Sequence, residues 1–147
     1  MKDRKFFVDS NIWLYRFLFD RNSEHFTYQK KREIAISLTN STNIVISTQI
    51  ITETCSVLKR KANFSDRQIY QIIEEFEEQC QIICLTSIEM KNACELRRKY
   101  NFSYWDSLIV SCALVSPVNV IYSEDMQHGL VINEKLTIIN PFLSMFE

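Results

Sequence analysis

The chain has 147 residues, 46% of them apolar, and a net charge of −1 from 17 basic and 18 acidic side chains. That apolar share excludes a disordered chain, and the length suits one compact domain over residues 1–147. A near-neutral balance excludes a global field that draws the protein to nucleic acid or a membrane, so any such binding relies on local patches. Gly129 is the only glycine, which rules out the glycine-rich phosphate loops of P-loop and dinucleotide-binding proteins. The five cysteines, Cys55, Cys80, Cys84, Cys94 and Cys112, are odd in number and lie mostly in apolar segments. They read as buried free thiols of a cytoplasmic protein. Cys80 and Cys84 have loose metal-ligand spacing, but no second Cys pair or His cluster completes a zinc site. No apolar run reaches the roughly 18 residues of a membrane span, and Met1 to Lys5 does not fit a signal peptide.

In chain order, Phe6-Phe7-Val8 reads as a buried strand that ends on Asp9-Ser10-Asn11. A helix follows from Ile12 to Phe19, apolar almost all round through Ile12, Trp13, Leu14, Phe17, Leu18 and Phe19. Either it is buried on several sides, or it presents a face to a partner helix or a second subunit; the second reading is preferred. A second helix spans Glu24 to Thr39, with Lys30, Lys31 and Arg32 on its solvent side. Asn43 to Ser47 is a strand, and Thr48 to Lys61 is a helix with a basic end, Lys59-Arg60-Lys61. Ser65 opens a helix to Gln79, striped by Ile69, Ile72, Ile73 and Phe76. Gln81 to Leu85 is a strand, Ser87 to Tyr100 a helix ending in Arg97-Arg98-Lys99, and Tyr104 to about Val115 a helix capped by Ser103. Val118 to Tyr122 and Leu136 to Ile139 are the last strands. Continuous apolar strands alternating with helices predict an α/β fold with a mostly parallel central sheet of four to five strands.

Four acidic residues stand out. In open α/β sheets, ligands bind beyond the carboxyl ends of the strands, where Asp9 and Asp125 fall. Taken alone, Asp9 or Ser10 reads more simply as an N-cap, and Ser123-Glu124-Asp125 as turn chemistry. Glu53 shares a helix face with Ile50 and Val57, which should point inward, so it pairs with a buried Arg, lies at the stripe's margin, or has a functional partner. Asp106 lies on the apolar side with Ile109 and Ala113, although Ser103-x-x-Asp106 also resembles a capping box. If the four converge, each pair of like charges at about 4 Å repels by about 4 kcal/mol at an effective dielectric near 20. Oxygen ligands without Cys or His suit Mg²⁺ or Mn²⁺, which activate water in phosphoryl transfer.

The order Val8-Asp9-Ser10-Asn11, Ser47-Thr48-Gln49…Glu53, Tyr104-Trp105-Asp106-Ser107-Leu108-Ile109 and Ser123-Glu124-Asp125-Met126-Gln127-His128-Gly129 resembles the PIN domain family, and more narrowly its VapC-like toxins. The resemblance runs through Asn140-Pro141-Phe142 and implies a three-layer PIN-like fold. It implies a Mg²⁺- or Mn²⁺-dependent endoribonuclease, often dimeric, that cuts RNA and is held inactive by a small antitoxin. Asp9, Glu53, Asp106 and Asp125 match the family's acidic quartet. Asp9, Asp106 and Asp125 would hold metal, and Glu53 would complete the shell or deprotonate the attacking water. Ser10, Asn11 and Ser123 match supporting positions, with Ser for the usual Thr at 10 and 123. Glu124 matches a variable position, and His128 reads as a structural residue of the turn.

Lys59-Arg60-Lys61 and Arg97-Arg98-Lys99, and after them Lys30-Lys31-Arg32, are the candidate RNA contacts, although helix-end cations suit the helix dipole without any function. The main rival is a non-catalytic protein of the same fold. A Mg²⁺-dependent phospho-acceptor module fits less well: Lys135 supplies its late lysine, but no acid pair follows the first strand and Glu53 would be idle. A haloacid-dehalogenase-like phosphatase needs a second acid where Asn11 stands.

Overall fold

The computed structural model describes residues 4–18 and 26–146. The first strand, β1 (Phe6–Val8), leads into α1 (Ser10–Phe17), α2 (Phe26–Thr39), β2 (Ile44–Ser47), α3 (Thr48–Ala62) and α4 (Asp66–Gln79). Then come β3 (Gln81–Ile83), α5 (Ser87–Lys99), α6 (Tyr104–Leu114), β4 (Val120–Tyr122), β5 (Val131–Ile132) and β6 (Leu136–Ile139). Glu24 and His25, expected to open the second helix, and Phe19, expected to end the first, lie outside the described residues. Among the described residues no helix is long and apolar enough to cross a membrane.

The strand order is β3-β2-β1-β4-β6-β5, parallel except for β5. Phe7 pairs with Val45 on one side and Ile121 on the other, and all three are fully buried. This is the α/β architecture expected, a mostly parallel sheet flanked by helices. The chain runs from β1 outward to β3, then returns to place β4 on β1's other side. That reversal makes the carboxyl end of β1 the switch point of the sheet.

The sheet has six strands rather than four or five. β5 is two residues long, too short for any periodicity, and pairs with β6 through the turn Asn133-Glu134. Both turn residues have positive φ, 50° and 56°, as the tight turn closed by Lys135 N donating to Ile132 O needs. Neither is glycine, so the usual sequence signal is missing.

None of the residues of α1 is exposed. Trp13 packs edge-on against Phe76 with centroids 4.9 Å apart and stacks on Phe17 at 6.3 Å. Tyr15 contacts the rings of Tyr28 and Phe142. Burial on several sides accounts for Ile12 and Trp13, whereas Leu14, Phe17 and Leu18 are half-buried and Leu14 and Leu18 line a surface cleft. The cysteines also depart from expectation. All five are free, but only Cys55 and Cys112 are buried; Cys84 and Cys94 are exposed. The apolar stretches holding those two run along exposed helix and strand-end positions, which sequence context alone does not reveal.

Trp13 is 1% exposed at the junction of α1 and α4. Trp13→Ala is expected to lower unfolding free energy by about 3–5 kcal/mol, read by urea denaturation, because the ring's neighbours cannot collapse onto the space.

Candidate active site

Asp9 ends β1 while its backbone N–H still donates to Tyr122 O at 3.0 Å. One strand over, Ser123 N donates to Ile139 O at 3.0 Å. The parallel ladder thus places Asp9 and Ser123 side by side just beyond the strand ends. Asp9 is also the N-cap of α1, its Oδ1 accepting from Ser10 N at 2.7 Å. The cap and the acidic cluster are one feature, not alternatives. Its Oδ2 accepts from Ser123 Oγ at 2.7 Å and from Asn11 Nδ2 at 3.1 Å.

Asn11 spans the switch point. Its amide nitrogen also lies 3.1 Å from Asp125 Oδ2, and its carbonyl accepts from Glu124 N at 3.2 Å. Glu53 projects from α3 at the margin of a buried stripe formed by Ile50, Thr54 and Leu58. No Arg meets it. Ser10 Oγ donates to its Oε2 at 3.1 Å and Gln49 Nε2 to its Oε1 at 2.8 Å. Asp106 sits on the first turn of α6, where Ser103 Oγ accepts from its backbone N–H at 3.1 Å. The cap is therefore real, but no bond returns from the Asp106 carboxyl to the Ser103 backbone. Asp is one methylene shorter than the Glu or Gln that usually closes the box.

Burial pushes Asp9 from an ordinary 3.8 up to about 6, opposed by the Ser123 and Ser10 hydrogen bonds and reinforced by the charges of Asp106 and Glu53. Asp106 is raised too, first by burial, with Asp125 and Glu53 adding repulsion. The four acids thus feel one another's charge at one edge of the sheet. Six predicted residues (Asp9, Ser10, Asn11, Glu53, Ser123 and Asp125) share one hydrogen-bonded network, and Asp106 joins it electrostatically.

The basic candidates separate. Lys59 pairs with Asp66, and Arg98 with Glu95 of its own helix at 3.5 Å. Arg60 is exposed. Arg97 Nε donates to Phe102 O at 3.3 Å, which ties it to the segment entering α6. Lys61 lines a cleft of about 280 Å³ with Asn11, Tyr15, Glu124 and Asp125. Glu124 is occupied by Lys31 at 2.7 Å and by the Tyr15 hydroxyl at 2.7 Å. His128 Nδ1 accepts from Asn140 N at 3.0 Å beside Gly129, whose φ is +85°, so it braces the turn. Gln49 and Tyr15 were not identified as site residues from the sequence, and Lys31 was expected as an RNA contact rather than as the partner of Glu124. Only Gln49 carries a local signal, its i,i+4 spacing to Glu53.

The PIN domain family model matches residues 6–129, a span that holds all four acids. The chain belongs to the PIN domain family. Its solved structural neighbours are VapC toxins and their complexes. Mycobacterium tuberculosis VapC20, described as a sarcin–ricin-loop cleaving toxin, is 15% identical with a TM-score of 0.58, covering 82% of this chain and 90% of that one. A toxin–antitoxin complex from Klebsiella pneumoniae is 16% identical with a TM-score of 0.62, covering 92% and 96%. DNA-bound VapBC from Salmonella typhimurium is 12% identical with a TM-score of 0.57, covering 92% and 97%. A search of curated protein sequences finds no match.

PIN-domain nucleases generally use divalent metal ions. The oxygen-only donor set and its mutual repulsion suit such an ion. Among the described residues, however, no three Asp, Glu, His or Cys side chains form a ready ligand shell. Hydroxyl and amide donors meet both oxygens of Asp9, both of Glu53 and Oδ2 of Asp125, and each of these oxygens keeps a further lone pair that an ion could take.

The raised Asp9 has a sign that can be tested. Its folded pKa lies above its unfolded value, so the folded state holds the proton more tightly. The stability this lends is present at low pH and is lost as pH rises from about 4 to about 6. The shift corresponds to about 3 kcal/mol at most. In EDTA, the melting temperature of the wild type relative to Asp9→Asn should fall across that interval and level off above it. A flat difference between the two proteins would contradict the burial of an ionisable Asp9.

Proposed function

We propose that this protein is a Mg²⁺- or Mn²⁺-dependent endoribonuclease of toxin type, formed by one PIN domain over residues 1–147. It hydrolyses RNA phosphodiester bonds in the cytoplasm, acts as a homodimer and is held inactive by a small antitoxin. The observation that carries this reading is the convergence of Asp9, Glu53, Asp106 and Asp125, from four separated elements, at the switch point of the sheet. The VapC neighbours, among them an RNA-cleaving toxin and a toxin–antitoxin complex, support the substrate and partner assignments.

Asp9, Asp106 and Asp125 are the residues that would hold the ion, directly or through water. A divalent ion in such a site lowers the pKa of bound water and offsets charge developing on a phosphate. Glu53, braced by Gln49 and Ser10, accepts the proton of the attacking water. Asn11 and Ser123 keep Asp9 and Asp125 aligned, so little reorganisation accompanies the reaction. Lys61, beside Asp125, is the cation best placed to steady a flanking phosphate.

Purified protein should cut RNA with Mg²⁺ or Mn²⁺ and not with EDTA. Glu53→Gln and Asp106→Asn should each lower the rate by roughly 10²–10⁴-fold. Cleavage that survives both substitutions would reject the site. A second measurement separates a non-catalytic protein of this fold from a nuclease with a narrow target. Free Mn²⁺ at about a hundred times Kd should raise the melting temperature by on the order of 5–10 °C. An unchanged transition together with no cleavage would favour the non-catalytic reading.

A further inference from the structure

α6 is buried from Ser107 to Ala113, yet its first turn projects into solvent. There Trp105 is 64% exposed, whereas the protein's other tryptophan, Trp13, is 1% exposed. Large aromatic side chains are highly buried on average, so an indole left this open needs a reason. Trp105 directly precedes Asp106, with Cα atoms about 3.8 Å apart across the peptide. Its carbonyl accepts from Gln49 Nε2 at 3.2 Å, and the same amide nitrogen holds Glu53 Oε1 at 2.8 Å. One side chain therefore fixes both the backbone beneath the indole and the carboxylate of the acidic cluster. Tyr104, itself 39% exposed, supports the indole ring from one side, with centroids 5.9 Å apart at 65°. Arg97 is exposed and tied to Phe102 O, which sets a cation on the segment leading into the same turn.

An open aromatic face, a cation on the segment leading to it and a hydrogen-bonded link to the acidic cluster form the combination that binds single-stranded nucleic acid by base stacking. We propose that Trp105 is a stacking platform for an unpaired RNA base one nucleotide from the phosphodiester at the acidic cluster. The inference rests on the ribonuclease reading above. It adds the residue that contacts that nucleotide, and the contact needs an unpaired base, because a base within a duplex cannot leave its neighbours to cover the indole. Trp105 contacts substrate and takes no part in proton transfer.

The two tryptophans make the test direct. In a Glu53→Gln background with Mg²⁺, where RNA remains uncut, a mixed-sequence single-stranded oligoribonucleotide should quench the red-shifted emission of Trp105 and leave the buried Trp13 unaffected. The same sequence annealed into a duplex should quench far less. Trp105→Ala should raise Kd for the single strand roughly 5- to 150-fold at an unchanged melting temperature, and Trp105→Phe should recover part of that loss. In the otherwise wild-type enzyme, Trp105→Ala should raise KM more than it lowers kcat. Unquenched emission, equal quenching by duplex, or equal binding by Trp105→Ala would overturn the proposal while cleavage left the ribonuclease reading intact. Emission that changes with protein concentration alone, without RNA, would make Trp105 a contact between copies and overturn it as well. Failure of the protein to bind or cut any RNA would reject both readings together.

Discussion

The carboxylate of Asp9 sits in a place where a charge is costly. It is 3% exposed, at the end of a strand whose other residues belong to the core, and two other acids press on it. What makes the position tenable is a set of short-range donors: Ser10 N, Ser123 Oγ and Asn11 Nδ2. Two come from the first turn of α1 and lie next to Asp9 in sequence; the third comes from the end of β4. The Ser123 bond exists only because the parallel ladder holds β1 and β4 in register. Shifting that register by a residue would separate Asp9 from Ser123 and remove one of the three donors that compensate the buried carboxylate, a cost of about 1–3 kcal/mol.

The rest of the site is arranged around this point by polar bonds between elements. Asn11 carries the influence of Asp9 to the β4 loop, where it bonds both the Asp125 side chain and the Glu124 backbone. Ser10 carries it to α3 through Glu53. Gln49 then links Glu53 to the start of α6. Glu124, the fifth acid of the neighbourhood, is withdrawn from the cluster by Lys31 and Tyr15, and Lys31 rests against the Tyr15 and Phe142 rings. The result is a set of mutually repelling carboxylates held in place by neutral donors, with one acid neutralised at the margin. Such a frame stores repulsion that a cation or a proton relieves, which is why burial and ligand affinity are coupled at the same group.

Local readings succeeded where the physics is local. The helix starts at Ser65 and Ser103 follow from cap chemistry, and both side chains accept from the expected backbone N–H groups. The central strands follow from uninterrupted β-branched and aromatic runs. Readings failed where short elements or solvent exposure decided the outcome. β5 has two residues and a glycine-free hairpin turn, so nothing in its sequence marks it. Cys84 and Cys94 sit among apolar neighbours but on outward positions. Trp13 of α1 is buried against Phe76 of α4, which is distant in sequence.

By itself the sequence determined the order of strands and helices, the α/β class, and the placement of Asp9 and Asp125 at strand ends and of Glu53 and Asp106 on helices. Those properties depend on periodicity, capping and turn chemistry within a few residues, and the motif order was sufficient to suggest the family. Tertiary structure alone decided that the four acids come within reach of one another's charge and that burial raises Asp9 to about 6. It also decided that amides and hydroxyls, rather than an arginine, steady Glu53. The basic residues were sorted the same way: Lys61 faces the cleft and Arg97 the α6 entry, while Lys59 and Arg98 are spent on ion pairs. Each of these depends on strand order and helix rotation across long sequence separations, which no local pattern encodes.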